Sequence, residues 1–201
     1  MSELQRELFN LAMSEKSQPL MSAVKQHIIE NVDPITEEFF ALDKVKTDRW
    51  SWHPKQLELL DGAKAKAKAS GLWNFFLPDS EMGNGLSNLD YAYIATELGK
   101  SALASETLNC SAPDTGNMEV LERVGTPEQK KQWLEPLLAG EIRSAYAMTE
   151  PGLPSSDAKN ISTSAVLDGD EWLINGEKFY ISGAGDPRCK IMITMVKTSP
   201  H

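Results

Sequence analysis

Residues 146–158, Tyr-Ala-Met-Thr-Glu-Pro-Gly-Leu-Pro-Ser-Ser-Asp-Ala, gather the hydroxyls of Thr149, Ser155 and Ser156, two carboxylates, two prolines and a glycine into one short stretch. A rigid, bent loop of this make-up can present hydroxyls and backbone N–H groups to an uncharged ring system or a phosphate. The same residues can instead satisfy turn backbone, with Pro151, Gly152 and Pro154 shaping a connection between elements. Composition leaves both readings open. Other chemistries fit less well. The histidines His27, His53 and His201 lie far from this loop in sequence, and no serine elbow accompanies them. The glycine pairs at 83–85 and 183–185 do not link a strand to a helix within a βαβ unit, so they read as turns rather than as a dinucleotide site. Cys110 and Cys189 lack the short spacing and the histidine partners of a zinc set, so no metal site is expected and both read as free thiols.

The elements that must hold such a loop change character along the chain. Up to about residue 140 the pattern is helical. In the run from Gln56, Leu57, Leu59 and Leu60 open an amphipathic segment, alternating Ala and Lys continue it as a solvated face, and Gly71 falls where a C-terminal cap belongs. Ser87 and Asp90 stand at capping-box spacing ahead of Leu89, Tyr93, Ile94 and Leu98, and Gly99 closes that helix. Thr126, Pro127 and Gln129 begin another, which Gly140 terminates and Pro136 should bend, with Trp133 on its buried face.

After residue 142 the period becomes strand-like. Residues 161–167 and 171–175 flank Asp168-Gly169-Asp170, and Asn175-Gly176 separates the second run from residues 177–182, which predicts two hairpins in a meander of antiparallel strands. Residues 190–197 are apolar almost without alternation and predict a central strand covered on both faces. The fold class is therefore α+β: an N-terminal all-α helical domain over 1–142, followed by the first part of an antiparallel β-domain over 143–201.

A net charge of −9 argues against nucleic acid or an anionic membrane as the main partner. No apolar run approaches the roughly 20 residues needed to span a bilayer. The N-terminal stretch has neither an apolar signal core nor the acid-poor character of a transit peptide, so the default expectation is a cytoplasmic protein, mitochondrial or peroxisomal if eukaryotic.

Three segments taken together, residues 106–151, 146–158 and 175–190, resemble the acyl-CoA dehydrogenase family over nearly the whole chain, most closely the branch of family members 10 and 11, which shares the double serine and the Ser-Gly-Ala-Gly segment. The resemblance implies FAD held against the β-domain, with an acyl-CoA thioester stacked beyond it. It places Tyr146, Met148 and Thr149 along the flavin, with Thr149 donating to the pyrimidine edge. It puts Ser155 and Ser156 near the cofactor pyrophosphate, with Ser156 also near substrate; this loop is one residue longer than the commoner form, so the choice between the serines stays open. Tyr180, standing where relatives carry tryptophan, Ile181 and Ser182 match the segment packing on the flavin, with Ser182 bonded to N5. A hydroxyl donor there stabilises arriving charge, and an aromatic wall excludes water.

The resemblance further implies α,β-desaturation of acyl-CoA thioesters in fatty-acid β-oxidation, electron-transfer flavoprotein as acceptor and a homo-oligomeric assembly. The family's catalytic carboxylate belongs to a later helical bundle, so no catalytic residue is expected in this chain, and Glu150 is expected to serve the turn. On that reading the chain is an N-terminal portion, inactive alone. The alternative is a non-catalytic flavin- or acyl-CoA-binding or interaction module.

Overall fold

The computed structural model describes residues 11–77 and 82–199. The reading of the N-terminal stretch as free of targeting signals falls partly on residues 1–10, outside the described residues. The chain divides into two compact units, Met1–Ser111 and Ala112–His201. No described helix is long and apolar enough to cross a membrane.

The first unit is helical. Helix α1 (Gln18–His27) passes through a π-helical turn (Ile28–Val32) into α2 (Asp33–Ala41). The wider turn has a local cause: Pro34 follows it, and a proline neither donates to the carbonyl four residues back nor tolerates its close approach. Helix α3 (Pro54–Ala69) is capped by His53, whose Nδ1 accepts the Lys55 N–H at 3.1 Å while Gln56 Oε1 accepts the His53 N–H at 3.1 Å. Gly71, at φ +70°, ends this region as the sequence predicts. Helix α4 (Asn88–Leu98) starts on Ser87, whose Oγ accepts the Asp90 N–H at 3.1 Å and donates to the Asp90 carboxylate. With the short α5 (Ala104–Thr107), α1 packs on α4, and α3 packs on α2 and α5 around Leu60, Phe75, Ile94 and Leu98. The lysine run of α3 is only partly a solvated face. Lys64 falls with Leu60, Ala63 and Ala67 on the helix's buried side and is paired there with Glu106 at 3.0 Å. His27 is also buried, with Nε2 3.3 Å from Thr107 Oγ1.

In the second unit α6 (Asp114–Val124) is followed by α7 (Pro127–Gln129), a π turn (Lys130–Leu134) and α8 (Glu135–Ala139), which form one continuous run. Both bonds of the predicted capping box are present: Gln129 N–H to Thr126 Oγ1 at 3.2 Å, and Thr126 N–H to Gln129 Oε1 at 2.9 Å. Pro136 is accommodated by the same device as Pro34, a π turn that carries Glu135 N–H to the Lys130 carbonyl, and Gly140 closes the run at φ +70°. Leu134 and Leu137 are fully buried, each contributing roughly 1.5–3 kcal/mol. Trp133, expected on the buried face, is half-buried and lines an open groove with Val120, Val124 and Ile193, because Leu134 and Leu137 hold the inward positions.

Strand β1 (Arg143–Ala147) pairs in parallel with β4 (Cys189–Thr194), and β2 (Ser164–Asp168) pairs antiparallel with β3 (Glu171–Asn175). A single parallel bridge, Ser164 to Lys197, links the two pairs. The hairpin across Asp168–Asp170 is as predicted; the second is not formed. Gly176, at φ +156°, runs against Thr163, and residues 177–182 turn towards residues 148–150 instead of pairing with β3. Likewise β4 is not a central strand covered on both faces. Among the described residues it has one strand neighbour, β1, and alternates between half-buried and exposed.

Candidate functional site

The loop after β1 is built around a buried carboxylate. Glu150 Oε2 accepts the Ser162 N–H at 2.8 Å and Oγ at 2.6 Å, and Oε1 accepts the Thr163 N–H at 2.9 Å and Lys178 Nζ at 2.8 Å. Burial pushes the pKa of Glu150 up, but the Lys178 ammonium and the Ser162 and Thr163 donors outweigh it and hold the carboxyl well below the usual carboxylate range. An acid so committed is a poor proton acceptor, and Glu150 does not line the cavity described next.

Between this loop and the segment after β3 lies a cavity of about 390 Å³, lined by Ala112, Pro113, Tyr146, Met148, Thr149, Ser156, Tyr180 and Ser182. Six of the residues singled out from sequence are therefore brought together. Ser155 and Ile181 are not in the lining. Ser155 is 1% exposed, and its Oγ accepts the Glu150 N–H at 2.6 Å and donates to the Leu153 carbonyl at 3.2 Å, so its hydroxyl is spent inside the loop. Ser156, next in sequence, is exposed; neither its hydroxyl nor that of Ser182 has a hydrogen-bond partner among the described residues. The Thr149 hydroxyl donates to the Phe179 carbonyl at 2.6 Å, and Phe179 N–H donates to the Thr149 carbonyl at 2.8 Å. The proton of Thr149 Oγ1 is thus used within the protein, leaving its lone pairs to accept.

Tyr180 is 85% exposed and sits at φ +56°, a left-handed conformation that costs an aromatic residue about 1–2 kcal/mol. Its ring lies 4.1 Å from that of Phe179, centroid to centroid. The Phe179–Thr149 bonds fix the backbone immediately before Tyr180.

The opposite wall depends on Asp114, which follows Pro113. Asp114 is buried and accepts the Ser144 N–H at 2.8 Å, the Ser144 Oγ at 2.6 Å and the Arg143 guanidinium. Asn117 adds bonds to Ser144 Oγ at 2.8 Å and to the Ala145 carbonyl at 3.0 Å. The start of α6 and the start of β1 are fixed to each other by this cluster. The Ala112–Pro113 wall and the Lys178–Glu150 pair were not read from sequence. Local spacing carries no sign of either, since Lys178 meets a partner 28 residues away.

No lining residue carries a charge; aromatic and methyl surface alternates with hydroxyls. This suits a planar, largely neutral ring bonded at its edges. Among the described residues no cluster of His, Cys, Asp or Glu could hold a metal ion, and both cysteines are free.

A helical unit leading into small paired strands, with an uncharged, hydroxyl-edged cavity after the first strand, is the arrangement to compare with known families. Residues 15–141 match the acyl-CoA dehydrogenase N-terminal domain and residues 145–201 the acyl-CoA dehydrogenase middle domain. The chain belongs to the acyl-CoA dehydrogenase family. Acyl-CoA dehydrogenase family member 11 of Gallus gallus is 49% identical over 188 residues, covering 92% of this chain and 23% of the relative. A solved Mycobacterium abscessus structure described as an acyl-CoA dehydrogenase is 47% identical with a TM-score of 0.87, covering 94% of this chain and 48% of that one. An acyl-CoA dehydrogenase of Bacillus anthracis complexed with FAD is 26% identical with a TM-score of 0.62, over 94% of this chain and 30% of that one. The chain thus spans about a quarter of that curated relative and under half of those two solved chains.

Proposed function

We propose that this chain supplies the helical N-terminal part (1–142) and the flavin-facing wall (143–201) of an FAD-dependent acyl-CoA dehydrogenase that desaturates acyl-CoA thioesters in fatty-acid β-oxidation. The observation that carries the reading is the uncharged cavity beside Tyr146 and Tyr180, into which Ser156 and Ser182 bring hydroxyls without a hydrogen-bond partner among the described residues. The two-part division is supported by the family matches to 15–141 and 145–201. FAD, when bound, supplies the acceptor for the hydride leaving the substrate β-carbon. Met148, Thr149, Tyr180 and Ser182 would hold its ring, the hydroxyl of Ser182 donating to the ring nitrogen that gains charge, and Ile181 would sit between two of them without lining the cavity. Ser156 would face the pyrophosphate and substrate, while Ser155 shapes the loop through Glu150. Tyr146 and Tyr180 would limit the access of water to that ring.

No carboxylate lines the cavity, and Glu150 is held ionised by Lys178, so the base that removes the α-proton is not among these residues. That same observation favours a second reading, a flavin- and acyl-CoA-binding module without turnover. Acyl-CoA as ligand, electron-transfer flavoprotein as acceptor, a homo-oligomeric state and a reducing, cytoplasmic setting belong to the proposal; the free thiols Cys110 and Cys189 suit that setting. The test is a titration of the purified 201-residue protein with FAD, followed by anaerobic addition of acyl-CoAs of several lengths and a dye acceptor. Flavin binding without dye reduction supports the chain's share of the site; absence of flavin binding refutes it.

A further inference from the structure

The Glu150 cluster contains one group that also reaches the cavity backbone. Lys178 Nζ, already on Glu150 Oε1 at 2.8 Å, donates to the Met148 carbonyl at 2.9 Å. The next residue, Phe179, exchanges two hydrogen bonds with Thr149. Residues 178–179 are therefore fastened to residues 148–150 by consecutive contacts, two of which fall on the cavity-lining residues Met148 and Thr149. Both charged side chains are nearly out of water, Lys178 at 11% and Glu150 at 2% exposure. A buried ion pair is weak evidence for stability, because desolvation offsets the attraction; what it adds over an apolar contact is direction. Here the direction falls on one carbonyl, that of Met148, and through Phe179 on the backbone of Thr149.

We propose that Lys178 is a positioning residue: bridging Glu150 and the Met148 carbonyl, it sets the orientation of the Met148–Thr149 backbone that faces the flavin. The proposal rests on the flavin reading above. It also explains why residues 177–182 leave the strand direction of β3: pairing as a second hairpin would carry Lys178 away from Glu150.

The experiment measures FAD affinity by fluorescence quenching in the 201-residue protein, with amide hydrogen exchange on the same samples. Lys178→Met should raise the Kd for FAD about tenfold and alter the visible band of the bound flavin at saturation. Lys178→Arg, which keeps a cation between the two partners, should recover at least half of the loss on a logarithmic scale. Lys64→Met breaks a comparable buried ion pair in the first unit and should leave the Kd within twofold of the parent. Parental affinity and spectrum in a folded Lys178→Met protein overturn the proposal. If Lys178→Met does not fold, Lys178→Gln carries the test: it has no positive charge and its nitrogen lies one bond nearer the backbone, so it cannot reproduce the lysine's bridge, and a Kd equal to the parent's overturns the proposal. If the parent itself binds no FAD, the flavin reading fails, and amide exchange decides on Lys178 alone. Faster exchange at Ser162, Thr163 and Phe179 in Lys178→Met, with helix α3 unchanged, supports positioning; unchanged exchange at those three amides overturns it.

Discussion

Ser155 and Ser156 are neighbours of the same type, and the structure separates their roles, so they make a paired test. Ser155→Ala removes the acceptor of the Glu150 N–H at 2.6 Å in a residue 1% exposed. The change is nearly isosteric, so the cost is that of a buried donor left without a partner, about 1–3 kcal/mol. For a cooperative unit of 60–100 residues each kcal/mol moves the thermal midpoint by about 4–8 °C, so the second unit should lose roughly 5–20 °C. Ser156→Ala removes a hydroxyl with no partner among the described residues from an exposed position, and stability should stay within about 0.5 kcal/mol. Its loss should show in FAD binding instead: one hydrogen bond of about 0.5–1.5 kcal/mol corresponds to a roughly 2- to 10-fold higher Kd. The assay is thermal or urea unfolding followed by near-ultraviolet circular dichroism, with FAD titration at a temperature where both variants are folded. Ser155→Ala with a parental midpoint, or Ser156→Ala as destabilised as Ser155→Ala, would refute the assignment of one serine to the loop and the other to the cavity.

Gly176→Ala should cost roughly 2–5 kcal/mol, since a Cβ there lies 2.7 Å from Thr163 Cα at a φ that L-residues avoid; a urea midpoint equal to the parent's would contradict this. Asp114→Ala leaves Arg143 and the Ser144 N–H without their buried carboxylate and should destabilise the second unit by about 3–5 kcal/mol, read from the same unfolding curve. Two pH effects share a sign. Burial, helped by Lys66, holds the pKa of His27 below 6.5, so the unfolded chain binds more protons and stability should decline as pH falls through that value; His27→Gln should flatten the midpoint between pH 7 and 5.5. Glu150 is likewise depressed, from 4.5, so its contribution is fully present above that value and is lost only as pH falls towards its lower folded pKa. Glu150→Gln should remove that acid-range dependence of the second unit's midpoint.

What could be read from sequence was what neighbouring residues decide. The caps at Ser87, Thr126 and Gly140 are legible because each donor and acceptor lies within a few positions of its partner. The cavity residues Tyr146, Met148, Thr149, Ser156, Tyr180 and Ser182 are legible because their types and order survive as text. Illegible features involve residues far apart in the chain. Lys64 has the composition of a surface residue until Glu106, 42 positions on, meets it. Residues 177–182 have the alternation of a strand, but the chain there turns to place Lys178 on Glu150 and Met148, residues 28 and 30 positions away, instead of pairing with β3. Residues 190–197 look like a covered strand by hydropathy, and burial depends on neighbours that hydropathy does not encode. Ser155 and Ser156 cannot be told apart without the loop's conformation.

The parallel register of β1 with β4, Tyr146 beside Ile193, has a consequence for the order in which the molecule assembles. Every cavity residue but Ala112, Pro113 and Tyr146 lies in the stretch this pairing closes into a ring. The β2–β3 hairpin needs only its own turn and can form within about 1–10 μs, whereas closing a loop of this length carries an entropic cost of several RT before any contact rewards it. Synthesis delivers residues at about 5–20 per second, so a nascent chain holds its hairpin for seconds before β4 emerges. During that interval β1 has an open edge, and the carbonyl of Ala147 waits for the Met195 N–H that will bond it at 2.9 Å. On this order of synthesis the cavity can close only after β4 has emerged, and a chaperone or a paired strand offered in that window would compete with its assembly.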